Sequence, residues 1–250
     1  MSKIALITGA SSGIGRAVAY EFAKNGIDLI LCGRRTDSLS EIQEEIGDQV
    51  NTYILNFDVR NKEAVFIAIE SLPEEWKAID ILINNAGNAH GLGPIQDGDI
   101  DDWDNMIDGN VKGLLYVSKA IIPLMISRNS GHIFNLSSVA GKQTYLNGNV
   151  YCASKAAVEA LSEGMRMDLN PYNIKVTNVA PGAVNTGFST IRFKGDHKRA
   201  DAVYAGFEPL IAEDIAEIIY FAASRPAHVQ MADITIFPTA QASATVIKRN

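Results

Sequence analysis

Short apolar runs alternate with longer amphipathic stretches along almost the whole chain. The runs cover residues 3–8, 28–33, 52–57, 80–84, 132–136, 174–180 and 233–237. Several are nearly unbroken, such as Leu29-Ile30-Leu31-Cys32 and the run from Ile79 to Ile83 with its single Asp80. Strands covered on both faces read this way. Stretches of helical period lie between them, near residues 13–25, 37–46, 62–71, 101–128, 150–169 and 212–224. This alternation predicts an α/β fold with a parallel sheet and right-handed crossovers. Seven strands with helices on both faces predict a doubly wound, seven-stranded parallel sheet. No Pro/Ser-rich linker, internal repeat or low-complexity segment interrupts the pattern, so residues 1–250 are expected to form a single domain.

Residues 183–211 break the rhythm, with Gly187, Gly195, Gly206 and Pro209 and no strand pattern. A long irregular insert in a compact domain is usually a functional loop or lid. This one follows a strand, which places it over the carboxyl edge of the sheet, where ligands bind in such folds.

Composition narrows the picture. The 250 residues are 47% hydrophobic and 20% charged, an ordinary globular balance that needs no staples. The formal net charge of -7 argues against nucleic acid or an anionic membrane as the main partner. Cys32 and Cys152 show neither CxxC nor zinc spacing and read as small buried apolar groups in a reducing cytoplasm. The run Ile4-Ala5-Leu6-Ile7 is too short for a signal-peptide core, and no apolar stretch approaches the ~20 residues of a membrane span. A soluble, cytoplasmic protein is expected.

The first strand runs into Thr8-Gly9-Ala10-Ser11-Ser12-Gly13-Ile14-Gly15, and a helix follows. Glycines there permit a tight turn and let backbone N–H groups approach a pyrophosphate at a helix N-terminus. At the end of the second strand an acidic residue would select a free ribose 2′-OH. Here the strand ends in Gly33 and Arg34-Arg35 follow, and guanidinium forks suit a 2′-phosphate. NADP is therefore expected over NAD.

Tyr151 and Lys155 stand four apart in a helical stretch, on one face. A nearby ammonium stabilises a phenolate and lowers the phenol's pKa, which suits proton transfer at a substrate oxygen.

Taken together these motifs resemble the short-chain dehydrogenase/reductase family over essentially the whole chain. The match is carried by TGxxxGxG at residues 8–15, Asp58-Val59 after the third strand, and Asn84-Asn85-Ala86-Gly87 after the fourth. It continues in Ser138 thirteen residues before Tyr151, in Tyr151-Cys152-Ala153-Ser154-Lys155, and in Pro181-Gly182 after the sixth strand. The resemblance implies a Rossmann domain and hydride transfer between a nicotinamide cofactor and an alcohol carbon. It implies Tyr151 as acid/base, Ser138 on the substrate oxygen with Ser137 as its structural neighbour, and Lys155 tuning Tyr151 and touching the nicotinamide ribose. Asn110, by resemblance, helps hold a water that links Lys155 to solvent. Cofactor contacts are implied at Gly9, Ser11, Ser12, Gly13, Ile14 and Gly15, and at Arg34, Arg35, Asp58 and Val59. They are implied further along at Asn85, Ala86 and Gly87, at Tyr151 and Lys155, and at Pro181, Gly182, Val184 and Thr186.

The ending from Met231 to Ser243 lacks the family's usual Gly-Gly pattern. With the insert from Thr186 to Asp196 it resembles the subgroup that oxidises 3-hydroxy acids such as serine and allo-threonine with NADP. A carboxylate needs a cation, and Arg192 on the lid can bind one with two hydrogen bonds. Gln143 and Tyr145, just past Ser138, are candidates to line the pocket; Lys198 and Arg199 read as solvated. Two alternatives stay open: a reductase of 3-oxoacyl thioesters, sugars or polyols on the same scaffold, and a non-catalytic NADP-sensing module. The acidic run Asp97 to Asp104 lacks the Gly and Glu of a calcium loop and reads as a helix N-terminus. His90, His132, His197 and His228 are scattered, so no metal is expected. The resemblance also implies a homotetramer.

Overall fold

The computed structural model describes residues 2–250. Its strands are β1 (Ile4–Thr8), β2 (Asp28–Gly33), β3 (Thr52–Asn56), β4 (Ile79–Asn84), β5 (Gly131–Leu136), β6 (Ile174–Pro181) and β7 (Asp233–Ile236). All seven join one parallel sheet in the order β3-β2-β1-β4-β5-β6-β7. The chain winds outward from β1 in one direction and from β4 in the other. Their shared boundary is therefore the topological switch point, where a crevice opens at the carboxyl ends of the strands.

Strand alternation sorts the side chains onto two faces. Ala5, Ile7, Leu29, Leu31, Ile81, Ile83 and Phe134 pack under α1 (Gly13–Lys24), α2 (Thr36–Ile46) and α10 (Ala212–Ala223). Leu6, Ile30, Leu82, Ile133 and Val176 pack on the other side against α3 (Lys62–Glu70), α5 (Leu114–Ser127) and α7 (Asn149–Leu169). The register between β1 and β4 shifts after Ile4, and this lets Ile79 join Ile4 on the second face although Ile81 lies on the first.

Two expectations need correction. The single helix expected over residues 101–128 is three pieces: α4 (Ile100–Ile107), a π-helical turn over Asp108–Gly113, and α5. Gly113 explains part of this, since a Cβ there would stand 2.7 Å from Val59 Cγ2, so the turn passes β3's exit closely. The segment 183–211 is not irregular throughout. It contains α8 (Phe188–Arg192) and α9 (His197–Ala202). Its two ends are pinned together, with Asn185 N donating to Leu210 O at 2.7 Å and Leu210 N donating to Ala183 O at 3.0 Å. A one-turn helix α6 (Val139–Lys142), not expected from the sequence, follows β5.

Candidate active site

The turn after β1 is built by close approach. Gly9 and Gly13 have φ of +66° and +53°, a region open to glycine at little cost. A Cβ on Gly15 would lie 2.4 Å from Gly9 O and 2.5 Å from Asn85 Nδ2. Thr8 Oγ1 accepts from the N–H groups of Asn85 and Ala86, both at 3.0 Å, and Asn85 Nδ2 donates to Thr8 O at 3.0 Å. The β1 and β4 exits are thereby tied edge to edge. Ser12 begins α1 in extended geometry, and its side chain makes no capping bond. The first N–H groups of α1 are thus left for an anion.

Arg35 lies across this turn, its Nη2 donating to Ser11 Oγ at 3.0 Å and Ser12 Oγ at 2.8 Å. Arg34 is largely exposed and approaches Asp58 Oδ2 at 3.6 Å. Burial pushes the Asp58 carboxyl up, but hydrogen bonds from Arg60 outweigh it and hold the group below its usual range. Thr186 caps the same crevice, with its methyl 3.5 Å from where a Cβ on Gly13 would stand. Val184 lies in the pinned base of the insert. Pro181 ends β6, and Gly182 is pressed against the buried Gln241, whose Oε1 accepts from Ala183 N at 2.8 Å. The cradle of close-packed glycines, the uncapped helix start and the two guanidiniums fit a dinucleotide with a phosphorylated ribose.

Tyr151, Lys155 and Ser138 converge beside this crevice. Tyr151 is buried, with Phe188 5.7 Å from its ring and the Arg192 guanidinium carbon 5.4 Å from the ring centroid. Lys155 is buried too, and its Nζ donates to Leu136 O at 2.8 Å. Burial brings its pKa down to about 8, against an upward pull from Glu159. Lys155 was expected to hold the phenol's pKa down, and here the structure differs. The Tyr151 phenol is raised, by burial first and by Tyr145 second, while the Ser138 hydroxyl and Arg192 pull the other way. The ammonium is turned to Leu136 and lies 6.0 Å from the ring centroid, so dehydration of the phenol dominates.

Ser138 caps α6, its Oγ accepting from Ala140 N at 3.1 Å. Ser137 instead donates to Lys155 O at 3.1 Å and braces α7. The π-helical turn brings in Asn110, which is buried. Its Oδ1 accepts from Asn88 N at 2.7 Å, and its Nδ2 donates to Asn88 O and to Ser154 Oγ. A Cβ on Gly87 would stand 2.9 Å from Asn110 Oδ1 and 3.5 Å from Lys155 Nζ, so the bare Gly87 leaves both groups facing one spot. π-Turns inside helices recur at functional sites for this kind of reason.

Arg192 ends α8. Its Nε donates to Gly91 O at 3.1 Å and its Nη1 donates to Tyr145 Oη at 3.0 Å, while Nη2 is buried without a partner. A small pocket opens here, lined by Arg192, Tyr151, His90, Asp102, Trp103 and Asn149 among others. Gln143 does not join this group. It is exposed, and its Oε1 accepts from Ala244 N at 2.9 Å, because the C-terminal segment folds back over it. His90, Asp102 and Trp103 were missed. His90 was set aside as scattered and Asp102 was read as a helix-start acid, yet the loop that follows β4 at the sheet's carboxyl edge is where ligand contacts were to be sought. The helix-start reading itself holds: Asp99 caps α4, accepting from Asp101 N at 3.0 Å, and Asp101 and Asp102 stand in its first turn.

Known proteins share this arrangement. The chain is 43% identical, over 96% of its length and 97% of the relative's, to an NADP-dependent 3-hydroxy acid dehydrogenase of Escherichia coli K12. It is 45% identical over the full length of both chains to sulfoacetaldehyde reductase 2 of Chromohalobacter salexigens. Among solved structures, the closed form of a serine dehydrogenase complexed with NADP+ superimposes with a TM-score of 0.94 at 41% identity, covering 99% of each chain. The sequence pattern of short chain dehydrogenases matches residues 3–196. That span includes the glycine turn, Asn110, Ser138, Tyr151, Lys155 and Arg192, and with relatives this similar along the whole chain, the protein belongs to the short chain dehydrogenase family.

Proposed function

We propose that this protein is an NADP-dependent oxidoreductase that interconverts a small 3-hydroxy acid and the corresponding 3-oxo acid. The observation that carries the substrate class is Arg192, which lines the pocket beside Tyr151 and whose buried Nη2 has no partner among the described residues. A guanidinium with an unpaired N–H group lining a pocket favours an anion there. The bound nicotinamide would accept or donate the hydride. Gly9, Gly13, Gly15 and the start of α1 would hold the pyrophosphate, with Asn85, Ala86 and Pro181 beside them. Arg34 and Arg35 would take the 2′-phosphate.

Within this reading Arg192 fixes the acid end of the substrate and leaves its oxygen between Ser138 and Tyr151. Ser138 donates to that oxygen as negative charge develops there. Tyr151 gives the proton in reduction and takes it in oxidation. Its burial favours the protonated phenol, the form that donates. Lys155, whose Nζ is held by Leu136 O, would turn to the nicotinamide ribose when the cofactor binds, and Asn110 braces the loop after β4 against α7 through Asn88 and Ser154.

Initial rates of NADP reduction, measured in parallel with NAD, across 3-hydroxy acids and matched neutral alcohols test the reading. Rates confined to the acids with NADP support it. Equal or better rates with neutral alcohols discard the acid assignment and favour a sugar, polyol or thioester reductase. Turnover of any substrate disposes of a non-catalytic NADP sensor. The 45% identity to a sulfoacetaldehyde reductase favours a second reading, in which Arg192 receives a sulfonate. 2-Hydroxyethanesulfonate belongs in the same panel. We also infer a cytoplasmic homotetramer, supported by free, buried cysteines and by the exposed Leu115 on α5 and Met167 on α7. Sedimentation would count the subunits.

A further inference from the structure

Arg192 bonds Gly91 on the loop after β4 and Tyr145, and its guanidinium lies over the Tyr151 ring. Gly91 N donates to Arg192 O at 3.0 Å, and the side-chain bonds to Gly91 and Tyr145 are those given above. What fixes α8 against that loop lies two residues further on. α8 closes with Gly195 N donating to Thr190 O at 2.9 Å and Lys194 N donating to Ile191 O at 3.0 Å. This is a Schellman ending, whose left-handed position normally takes glycine. Here that position is Lys194, with φ of +52°, although glycine stands next to it at Gly195. The side chain gains something specific from this awkward placement. Its Nζ lies 3.0 Å from Asp102 Oδ2 and 3.3 Å from Asp99 Oδ2, at the head of α4.

Both carboxylates line the pocket that Arg192 also lines. Asp102 is only 14% exposed, so its charge is poorly dissipated by solvent. Unneutralised, it and Asp99 would repel any anion on its way to Arg192. A Cβ on Gly91 would stand 3.3 Å from Asp102 Oδ2, so the Arg192 anchor and the Lys194 anchor meet on one small patch. We propose that Lys194, by bridging Asp99 and Asp102, is a positioning residue that clasps α8 in place and offsets part of the pocket's negative charge for a substrate anion at Arg192. The inference rests on the acid-substrate reading above.

The test uses the full-length enzyme with Lys194→Met and Lys194→Arg, read by steady-state kinetics with a 3-hydroxy acid and by amide hydrogen exchange over residues 190–195. Lys194→Met is expected to raise KM for the acid about five- to tenfold, the size of two partly exposed ion pairs. It should leave kcat within about twofold and KM for NADP unchanged. Amides of residues 190–195 should exchange faster, and Lys194→Arg should restore both readouts. The KM of the wild type should rise more steeply with salt than that of Lys194→Met. Unchanged KM and exchange in Lys194→Met would overturn the clasp. So would equal losses of kcat and NADP binding, which mark general damage to the lid. If the wild type turns over no acid at all, the substrate reading fails. The exchange measurement then decides the clasp alone, with faster exchange in Lys194→Met upholding it and unchanged exchange refuting it.

Discussion

Tyr151 and His132 are both buried ionisable groups, and burial acts on them in opposite chemical senses. For Tyr151 it favours the proton-bearing form. Tyr151→Phe keeps the ring and its packing on Phe188 but removes the hydroxyl. Cofactor titration should be unchanged, while kcat falls by about 10²–10⁴, the range for losing a positioned acid/base; near-normal turnover would sink the assignment. His132 is a matter of stability. Its Nε2 meets Thr177 Oγ1 at 2.8 Å, its Nδ1 has no partner, and burial, with Lys175 and Lys3 adding to it, drives its pKa down to about 3. The folded value lies below the unfolded one, so above about pH 6.5 both states are neutral and nothing is lost. As pH falls toward 3 the unfolded chain takes a proton that the folded chain refuses. Urea unfolding at about pH 7.5 and about pH 4.5 should show a loss of about 2–3 kcal/mol from this group. His132→Gln should remove that share of the acid sensitivity.

At the scale of elements, β1 through β7 were legible because each is an apolar run with its own boundary, and the near-continuous burial of most of them follows from chemistry local to the run. The glycine turn was legible as a turn, and Tyr151 and Lys155 as neighbours on α7, from short spacings, whereas the direction of the Lys155 ammonium, toward Leu136 O, was not. The break at Asp108–Gly113 was not. The close approach of Gly113 to Val59, about fifty positions away in the sequence, is one constraint on it that no local pattern carries. Asp102 in the pocket escaped for the same reason: its partner Lys194 arrives on a different element. Gln143 shows the converse error, in which nearness to Ser138 along the chain suggested a pocket role while the C-terminal segment claimed its side chain. The turn after β1 gives the sharpest test at this scale. In Gly15→Ala the added methyl would stand 2.4 Å from Gly9 O and 2.5 Å from Asn85 Nδ2, both held in hydrogen-bonded or backbone positions. Overpacking of this kind costs about 1–3 kcal/mol. The variant should lose thermal stability and, because the turn must open, bind NADPH far more weakly. An unaltered NADPH titration would show that the turn does not cradle the cofactor.

Across the whole molecule the proposed cofactor crevice joins elements that the chain visits at widely separated points: the turn after β1, Arg34 and Arg35 after β2, Asp58 after β3, Asn85 after β4 and Thr186 over the top. A ligand that bridges them should act on the global unfolding equilibrium. At about 100 times its Kd, a ligand specific for the folded state adds about 2.7 kcal/mol, which for a chain of this size raises Tm by about 5–10 °C. NADPH should give that shift, and NADH at equal concentration should give a much smaller one. Replacing Arg34 and Arg35 together with Ala separates two roles that geometry leaves joined. Arg35 reaches Ser11 and Ser12, so it both offers charge to a 2′-phosphate and braces the turn beneath it. If charge is what matters, the double variant lowers the NADPH shift to the NADH level and leaves the NADH shift where it was. If bracing is what matters, the two shifts fall together, because NADH needs the same turn for its pyrophosphate and only lacks the phosphate that the guanidiniums would meet.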